Sequence, residues 1–440
     1  MERYKKYKDS GVQWIGNIPS HWESKQLRSF LTLFTEKGHG DAQLLSVTRE
    51  QGVIERDKDD KEENHNFVPE DLSGYKYIEK GDFAINKMKA WQGSYAVSDY
   101  NGIVSPAYYT CKLKGVDKYF FSKAIRSLAY IPFFTQYSKG IRVGQWDLNP
   151  NSLKTIPFFL PPIDEQKKIV NYIESKTSKI DEYIAEKEKE VQLLNELKEA
   201  EIAKVVTQGL NPNVKMKDSG ISWIGLIPEY WNTYILKRLI KERKAGSWGS
   251  EPKTSEIDCV CLRIADFDYQ NYRFQRKDDL TIRSYKEKDL EDRVLEQGDI
   301  LIEKSGGGEK SPVGRAVMYD LSIENAMYAN FMEKIIPIER LDSSYLTYLL
   351  ATMYSKRAMW TYIKYTTGIQ NLDITSLLSN EKIPLPPLDE QRAIVAYINE
   401  KTEKVESLIT DLQAEIEHLK EYKQRLIADC VTGQVNVQNE

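Results

Sequence analysis

Histidine and cysteine are both scarce in this chain of 440 residues, which has four of each. The histidines are isolated, and none stands at a spacing typical of metal ligands. The cysteines are too few and too scattered for a disulfide framework, so a reducing cytoplasm is the expected location. No apolar run reaches the 18 residues of a membrane span, and the N-terminal MERYKKYKDSG lacks the apolar core of a signal peptide.

Sequence motifs of self-sufficient catalysis are also missing. The chain has no glycine-rich dinucleotide fingerprint and no nucleophile elbow. It has no Asn-Pro-Pro-aromatic tetrapeptide of the kind that adenine methyltransferases use. We therefore expect no cofactor to be bound by this chain and no independent catalytic activity.

Two blocks of sequence occur twice. KDSGVQWIGNIPSHW, from Lys8 to Trp22, returns as KDSGISWIGLIPEYW from Lys217 to Trp231. LPPIDEQKKIVNYIESKTSKI, from Leu160 to Ile180, returns as LPPLDEQRAIVAYINEKTEKV from Leu385 to Val405. The stretches between these blocks barely match, so a shared frame carries two different inserts. Such a layout is expected of a protein that reads two targets with one scaffold.

The second repeated block predicts a long helix in each half. Leu-Pro-Pro is extended, and the acidic residues Asp164 and Asp389 then favour a helix start. A coiled-coil seam is predicted in the second helix by apolar residues spaced mostly three and four apart: Ile398, Val405, Ile409, Leu412, Ile416, Leu419, Tyr422 and Leu426. At ~1.5 Å per residue, each helix is a rod of roughly 60 Å. Because each rod must bury its stripe, we expect the two to pack antiparallel, with a separate coiled-coil partner as the alternative.

The inserts are predicted to mix helices and strands and to share a fold. Strands are expected at Leu44–Val47, Cys259–Ile264, Ile300–Ile302 and Phe331–Ile338, and helices at Tyr119–Leu128 and Ser344–Met353. GDFAINK at Gly81 echoes GDILIEK at Gly298. The predicted fold class is α+β: two mixed α/β recognition domains separated by two long helices packed as an antiparallel coiled coil, with pseudo-twofold symmetry. The predicted segments are residues 1–162 (first recognition domain), 163–210 (first helix), 211–387 (second recognition domain) and 388–440 (second helix and tail).

The C-terminal tail resembles the segment that links the two halves. VVTQGLNPNV, from Val205 to Val214, leads into the second Trp-Ile-Gly block, and CVTGQVNV, from Cys430 to Val437, ends at the point where the first block could begin. We therefore predict a closed ring in which the tail lies beside the N-terminal segment.

The net charge of −4 is unevenly distributed. Residues 164–208 hold 11 acidic and 8 basic side chains, and residues 389–430 hold 10 and 6. The remainder of the chain therefore carries a net charge of +3. Mildly basic inserts permit contact with DNA without requiring it.

Polar loops at equivalent places in the two inserts are the candidate DNA contacts. KSGGGEKS, from Lys304, is not a Walker A motif, and its glycines expose backbone N–H groups that suit phosphate, a mobile surface loop being the alternative. NKMKAWQGS, from Asn86, holds the equivalent place in the first insert. KGIRVGQWDLN and TTGIQNLDI form a second pair of loops, and their Arg, Gln and Asn are residue types that read base edges. The candidate residues are Lys87, Lys89, Trp91, Gln92, Arg142, Gln145, Lys304, Ser305, Gly306, Gly307, Lys310, Arg315, Gln370 and Asn371.

The paired Trp-Ile-Gly-x-Ile-Pro-x-x-Trp segments and the paired Leu-Pro-Pro-x-Asp-Glu-Gln helices make the whole chain resemble a specificity subunit of a type I restriction–modification system. The resemblance implies that each insert reads one half of a split DNA site. The helices would set the gap between the half-sites and dock two methyltransferase subunits, and restriction subunits would join that complex. S-adenosylmethionine, ATP and magnesium would belong to the partners. The alternatives are a structural coiled-coil adaptor, which leaves the two dissimilar inserts unexplained, and an enzyme that modifies nucleic acid alone.

Overall fold

A computed structural model describes residues 2–57, 69–140, 146–252, 256–308, 311–366 and 369–438. The chain forms two compact units. The first unit comprises Met1–Glu188 and Gln413–Glu440, and the second comprises Lys189–Leu412. Of the candidate residues, Arg142, Gln145 and Lys310 lie outside the described residues, so their predicted roles stay predictions.

Over the residues that the structure describes, the first unit contains short strands, three short helices and part of two long ones. Its strands are β1 Tyr7–Asp9, β2 Asn17–Pro19, β3 Glu23–Gln26, β4 Leu31–Phe34, β5 Leu45–Val47, β6 Val53–Glu55, β7 Lys76–Ile78, β8 Phe83–Ile85, β9 Tyr95–Val97, β10 Gly102–Val104, β11 Tyr109–Leu113, β12 Ser138–Lys139, β13 Asp147–Leu148 and β14 Pro157–Leu160. Its helices are α1 Lys118–Ile125, α2 Ile131–Tyr137 and α3 Pro150–Thr155, followed by α4 Ile163–Gln208, which runs on into the second unit.

The central sheet of the first unit is antiparallel, with strand order β4-β11-β8-β9. Its buried side packs on α1 and α2 through aromatic side chains, among them Phe83, Tyr95, Phe121 and Phe134. The same core takes in Ile169 and Ile173 from the start of α4. The helix is therefore anchored by the insert that precedes it.

The second unit repeats this plan with a larger insert. Its strands are β15 Met216–Asp218, β16 Leu226–Pro228, β17 Asn232–Ile235, β18 Ile240–Ala245, β19 Ile257–Leu262, β20 Phe267–Asp268, β21 Arg273–Phe274, β22 Ile282–Tyr285, β23 Ile300–Glu303, β24 Ser305–Gly306, β25 Ala316–Met318, β26 Met327–Tyr328, β27 Met332–Pro337, β28 Ile363–Thr366, β29 Ile369–Leu372 and β30 Lys382–Leu385. Its helices are α5 Glu287–Arg293, α6 Ser343–Ser355, α7 Ile374–Asn380 and the long α8 Leu388–Val431, which continues into the first unit.

The predicted strands and helices of the inserts are confirmed, with ends shifted by a few residues. The central sheet of the second unit has the order β18-β27-β23-β25 and is again antiparallel. The echoed Gly-Asp segments are equivalent strands, since each aspartate accepts a backbone N–H three residues before it, at 2.8 Å for Asp82 and 2.9 Å for Asp299. Each also pairs with a lysine of the neighbouring strand, Lys112 or Lys334. The two inserts therefore share a core fold.

Within each unit, the two long helices pack antiparallel, as predicted. In the first unit, Lys423 binds Asp181 at 2.6 Å, whereas Glu415 lies near the later residue Lys187, at 3.7 Å. In the second unit, the Tyr397 hydroxyl donates to Glu201 at 2.7 Å, whereas Glu406 lies near the earlier residue Lys198. In both units, residue numbers increase along one helix in the direction in which they decrease along the other, so the two helices are antiparallel.

The repeated Asp-Glu-Gln at each helix start holds the frame together. Glu165 is 4% exposed and accepts hydrogen bonds from Trp22 Nε1 at 3.0 Å and the Tyr4 hydroxyl at 2.6 Å. It also lies 2.8 Å from His21 Nε2. Burial and the adjoining carboxylate raise the pKa of Tyr4 far above its usual value, so this hydroxyl stays a donor. In the second unit, Glu390 accepts from Trp231 and Tyr230 in the same way.

The glutamine that follows ties the long helix to the insert. Gln166 Oε1 accepts the backbone N–H of Asp117 at 2.8 Å, and Gln391 Oε1 accepts that of Asp342 at the same distance. Both aspartates cap the first turn of a helix, α1 in one unit and α6 in the other. Each glutamine also donates to a carbonyl of the preceding Pro-Pro pair. The two repeated blocks are thus halves of one structural junction, which explains why they recur together.

The predicted meeting of the chain ends is confirmed within the first unit. Asn436 N donates to the carbonyl of Glu2 at 2.9 Å, and the Tyr7 hydroxyl donates to the carbonyl of Gly433 at 3.0 Å. Val435 and Val437 are buried in the core of this unit. The tail therefore completes the junction that residues 205–231 form continuously in the second unit.

A circular permutant should fold because the ends already lie together. Joining residue 440 to residue 1 by a short linker and opening the chain between Gly209 and Lys215 should cost little closure entropy. We expect helical content and melting temperature close to those of the parent protein, measured by circular dichroism. A permutant opened within α4 after Glu188 is the matched control, and it should lose stability. Equal stability of the two permutants would contradict this interpretation.

Candidate nucleic-acid interface

The two predicted loops of each insert meet in the structure. In the first unit, Leu148 N donates to the carbonyl of Lys87 at 3.0 Å. In the second unit, Leu372 N donates to the carbonyl of Lys304 at 2.8 Å. Each pairing is followed by a short helix whose first turn is capped by a polar side chain, Asn149 for α3 and Asp373 for α7. The described parts of these loops, separated by some 60 residues of sequence, thus form one composite surface in each unit.

In the first unit, this surface combines lysines with tryptophans. Lys87 Nζ lies 3.1 Å from Asp147 Oδ2, which moderates its charge. The Trp91 and Trp146 rings pack with centroids 5.0 Å apart, so Trp91 is held by the second loop. Lys89 is exposed at the start of a single 3-10 turn that includes Trp91 and Gln92. Lys89 is therefore the predicted cation most open to phosphate here.

In the second unit, the glycine-rich loop starts as a strand. β24 pairs with β29, and β29 pairs with β28, in one small antiparallel sheet. Ser305 lies opposite Asn371, and Gly306 lies opposite Gln370. Gly307 has a φ of +63°, and a Cβ there would lie 2.9 Å from Val313 N and 3.0 Å from Gln370 Oε1. Glycine is required at Gly307 for this close turn, whatever its contact with phosphate.

Gln370 and Asn371 are engaged inside the unit. Gln370 is 5% exposed, and its Oε1 accepts the backbone N–H of Val313 at 3.2 Å. Asn371 Oδ1 accepts the Ser305 hydroxyl at 2.6 Å. An amide buried in this way cannot reach a base edge while its hydrogen bond lasts, so the geometry gives Gln370 a supporting position behind the loop. Sequence alone gave no indication of this burial.

Arg315 is also held by neighbouring residues. Its guanidinium makes two hydrogen bonds to the buried Glu303 carboxylate, at 2.9 and 2.7 Å, and lies 3.7 Å from the centre of the Tyr269 ring. Burial and the Glu303 carboxylate raise the pKa of Tyr269 well above its ordinary value, so its hydroxyl donates to Glu303. Such a bidentate pair mainly orders the strands around it.

Lys304 and Arg315 should respond differently to removal of their charges. Lys304 is partly exposed, with Nζ 3.6 Å from Glu333. We expect Lys304→Ala to weaken DNA binding alike for all sequences and to reduce the salt slope by about 0.9. Arg315→Ala should instead destabilise the protein by about 3–5 kcal/mol, because it leaves Glu303 buried and unpaired. Salt titrations of duplex binding and thermal unfolding measure the two effects. A stable Arg315→Ala protein with a reduced salt slope would reverse the assignment.

The structure also shows exposed apolar side chains that the sequence analysis did not select, because that analysis considered mainly polar residues. Tyr365 on β28 and Ile369 on β29 are 73% and 48% exposed. Phe331, whose carbonyl accepts the backbone N–H of Lys304, is exposed beside β24. The only sequence signal for them was their place beside the predicted polar residues.

Two negative findings complete the description of the surface. Among the described residues, no group of three or more His, Cys, Asp or Glu side chains is arranged to hold a metal ion. Over the same ranges, no helix combines the length and apolarity that crossing a bilayer requires. The four cysteines are buried thiols, as expected of small strand and helix residues.

Comparison with known proteins gives one consistent result. The sequence profile described as "Type I restriction modification DNA specificity domain" matches residues 264–418. The type I restriction enzyme MjaVIII specificity subunit of Methanocaldococcus jannaschii is 27% identical over 70% of this chain and 68% of its own length. A second relative from that organism is 24% identical over 96% of each chain. A solved chain from the type I R-M system covers 95% of this chain and 99% of its own, with a TM-score of 0.66 and 18% identity, which shows a shared fold.

These matches, with two inserts on a repeated two-helix frame, make the chain similar to the specificity subunits of type I restriction–modification systems. The resemblance inferred from the paired sequence blocks is thereby confirmed.

Proposed function

We propose that this protein is the DNA sequence-recognition subunit of a type I restriction–modification complex in the cytoplasm. Each insert reads one half of a bipartite asymmetric site, through the composite surface formed by its two loops. The observation that carries the proposal is the identical junction in both units supporting two different loop surfaces. Because one repeated junction carries two different loop surfaces, we expect the DNA target to have two unlike halves.

The long helices supply the surface on which two methyltransferase subunits would dock. The helices expose large apolar side chains, including Tyr183 and Tyr422 in the first unit and Leu193, Leu197 and Leu408 in the second. In the second unit, Leu197, Tyr397 and Val405 also line a groove of about 290 Å³ between the helices. Exposed apolar patches of this kind mark protein interfaces. The acidic side chains around them would select a basic partner surface.

The chemistry would belong to the partners. S-adenosylmethionine would be bound by the methyltransferase subunits, and ATP and magnesium would serve the restriction subunits. The specificity subunit itself would be non-catalytic, and its contribution would be to position the duplex so that the base to be methylated reaches the methyltransferase.

Reconstitution tests the proposal. The purified chain alone should transfer no methyl groups to DNA, whereas the chain with two methyltransferase subunits should methylate one two-part sequence. Sequencing of methylated bases identifies that sequence and its gap. Methyl transfer by the isolated chain would show an independent enzyme, and a chain without salt-dependent duplex binding, alone or with its partners, would show a structural adaptor.

The helices should act as the spacer between the half-sites. Insertion of four residues, about one turn, into both α4 and α8 near Glu188 and Leu412 lengthens the pair by roughly 6 Å. DNA rises ~3.4 Å per base pair, so the methylated sequence should gain one or two base pairs in its gap, with both half-sites unchanged. The same insertion at Asn213, outside the helices, is the control and should leave the gap as it was. An unchanged gap in the helix variant would show that the helices do not set it.

A further inference from the structure

A basic groove in the second unit lies between the edge strand β18 and the short helix α7. The groove measures about 250 Å³, and three cations, one carboxylate and two hydroxyl-bearing residues form its polar lining: Lys237, Lys241, Arg243, Glu242, Thr375 and Ser379. The four charged side chains are exposed, and their charges sum to a positive excess. Guanidinium, ammonium and hydroxyl groups are those through which proteins hold the phosphates of nucleic acids.

Arg243 is oriented by two neighbouring residues. Its Nη2 donates to Thr375 Oγ1 at 2.9 Å, and its Nε lies 3.6 Å from Glu333 Oε1. The Glu333 side chain is only 9% exposed, whereas that of Arg243 is 40% exposed. A guanidinium that is already ordered loses less conformational freedom when it binds an anion. The contacts therefore prepare Arg243 for a ligand without burying it.

The Glu333 carboxylate connects Arg243 with the predicted glycine-rich loop. Arg243 lies opposite Ile335, two residues from Glu333, so the side chains of Arg243 and Glu333 leave the same face of the sheet. On the other side of β27, Lys304 Nζ lies 3.6 Å from Glu333 Oε2. One carboxylate between two cations leaves a net positive charge. Arg243 therefore belongs to the same charged surface as Lys304, one of the candidate DNA contacts.

The arginine is a feature of the second insert and is not shared by the repeated frame. Arg243 lies two strands away, in register, from Ile300, which follows the Gly-Asp of the second insert. Leu33 holds the same place relative to Phe83, which follows the Gly-Asp of the first insert. The first unit thus has an apolar side chain where the second has a cation. The common fold does not require Arg243.

We propose that this groove binds a phosphate group of the DNA backbone in the half-site of the second unit, with Arg243 as the principal contact and Lys237 and Lys241 adding charge. The inference rests on the proposed function and deepens it, since it names residues that fix the second unit on its half-site. A phosphate contact carries no sequence information itself, but it sets the register in which base-reading side chains meet the duplex.

Methylphosphonate provides a direct test, because it replaces a charged phosphate oxygen by a methyl group. Once the methylated sequence is known, each phosphate of both half-sites is replaced in turn, and binding of the complex with methyltransferase is measured. The parent complex should lose about tenfold in affinity at each contacted phosphate, as expected for a hydrogen bond to a charged group. Arg243→Ala should abolish that loss at one or two adjacent phosphates of a single half-site and leave the losses elsewhere unchanged. Its salt slope should fall by about 0.9.

Two controls separate this effect from general damage. Arg243→Lys keeps the charge and should keep most of the loss at the same phosphates. Arg276→Ala removes another arginine of the second unit, 77% exposed and 3.5 Å from the Asp320 carboxylate, and should leave the phosphate profile and the salt slope unchanged. Melting temperatures verify that the variants fold, and Arg243→Ala should fold because Glu333 keeps Lys304 as its partner.

Three results would overturn the inference and leave the proposed function intact. Arg243→Ala could keep every loss of the parent complex, Arg276→Ala could change binding as much as Arg243→Ala does, or Arg243→Ala could alter the preference for a base, which would make Arg243 a reader of guanine. In each case, the complex still methylates a defined two-part site. A complex with no sequence preference at all would instead overturn the proposed function, and the inference would fall with it.

Discussion

Replacing Gly433 by alanine should lower the melting temperature of the first unit by roughly 5–10 °C, equivalent to about 2–3 kcal/mol in a domain of this size. Gly433 has a φ of +73°, and a Cβ on it would overlap the ring of Pro19, lying 2.5 Å from Cγ, and would press on Trp22 at 3.2 Å. Proline and buried tryptophan cannot turn aside as a flexible side chain can. The tail would therefore separate from the N-terminal segment. Scanning calorimetry of the full chain measures the shift.

Alanine substitutions at two other glycines distinguish the loss of stability caused by the steric clash from the loss caused by backbone strain. Gly11 has a φ of +75° with nothing within 4 Å of its Cβ position, so Gly11→Ala reports strain alone, about 1–2 kcal/mol. Gly209→Ala makes the equivalent change in the second unit, where the nearest atoms are Glu390 Oε1 at 3.1 Å and Trp231 Cζ2 at 3.2 Å. The loss of stability caused by Gly209→Ala should lie between the losses caused by Gly11→Ala and Gly433→Ala. If all three variants lose the same stability, the tail contact contributes nothing.

Removing the Glu165 carboxylate should be the most damaging single change in the frame. Glu165→Ala leaves the Trp22 indole N–H and the Tyr4 hydroxyl without their acceptor, next to the tail, and each such buried group costs about 1–3 kcal/mol. We expect a loss of about 3–5 kcal/mol, comparable with breaking other buried charged networks. Chemical denaturation of the full chain should show this as an earlier first transition.

The neighbouring carboxylate provides the matched control. Asp164 is exposed one position before Glu165 in the same first turn, so Asp164→Ala should lose only the helix-dipole contribution of about 0.3–1 kcal/mol. Combining Glu165→Ala with Trp22→Phe, which removes the indole donor, should cost less than the sum of the single changes. Additive effects would show that the carboxylate and the indole do not act together.

The frame could be predicted from sequence because its physical signals are local or repeated. The apolar spacing from Ile398 to Leu426 predicts a packed helix whatever surrounds it. The duplicate blocks placed Trp22 and Trp231 in the frame, and both are fully buried. The matching tail and linker segments also predicted the contact between Gly433 and the N-terminal segment. Repetition supplied the long-range information that a single sequence usually lacks.

The sequence predicted which loops occupy equivalent places in the two inserts, because a turn after a Gly-Asp strand has a local signature. It did not predict which of their side chains are exposed. The burial of Gln370 depends on its contact with Val313, which is distant in sequence, and strand alternation does not distinguish it from the exposed Tyr365, which lies opposite it in register. Arg315 was selected as a candidate for DNA contact without knowledge of its partner Glu303, which lies across a strand pair. Residue type indicates what a side chain can bind, and burial decides whether it is available.

Because the tail closes the first unit, we expect this unit to fold after the second one during synthesis. Domains normally fold as they leave the ribosome, the N-terminal one first, at about 5–20 residues per second. Here the core formed by residues 1–188 lacks Leu426, Val431 and Val437 until residues 426–437 emerge. The N-terminal part of the chain must therefore wait roughly 12–50 s with apolar surface uncovered, whereas the second unit, uninterrupted from Lys189 to Leu412, can fold first. We therefore expect chaperones to protect the first 188 residues of the nascent chain more than the second unit.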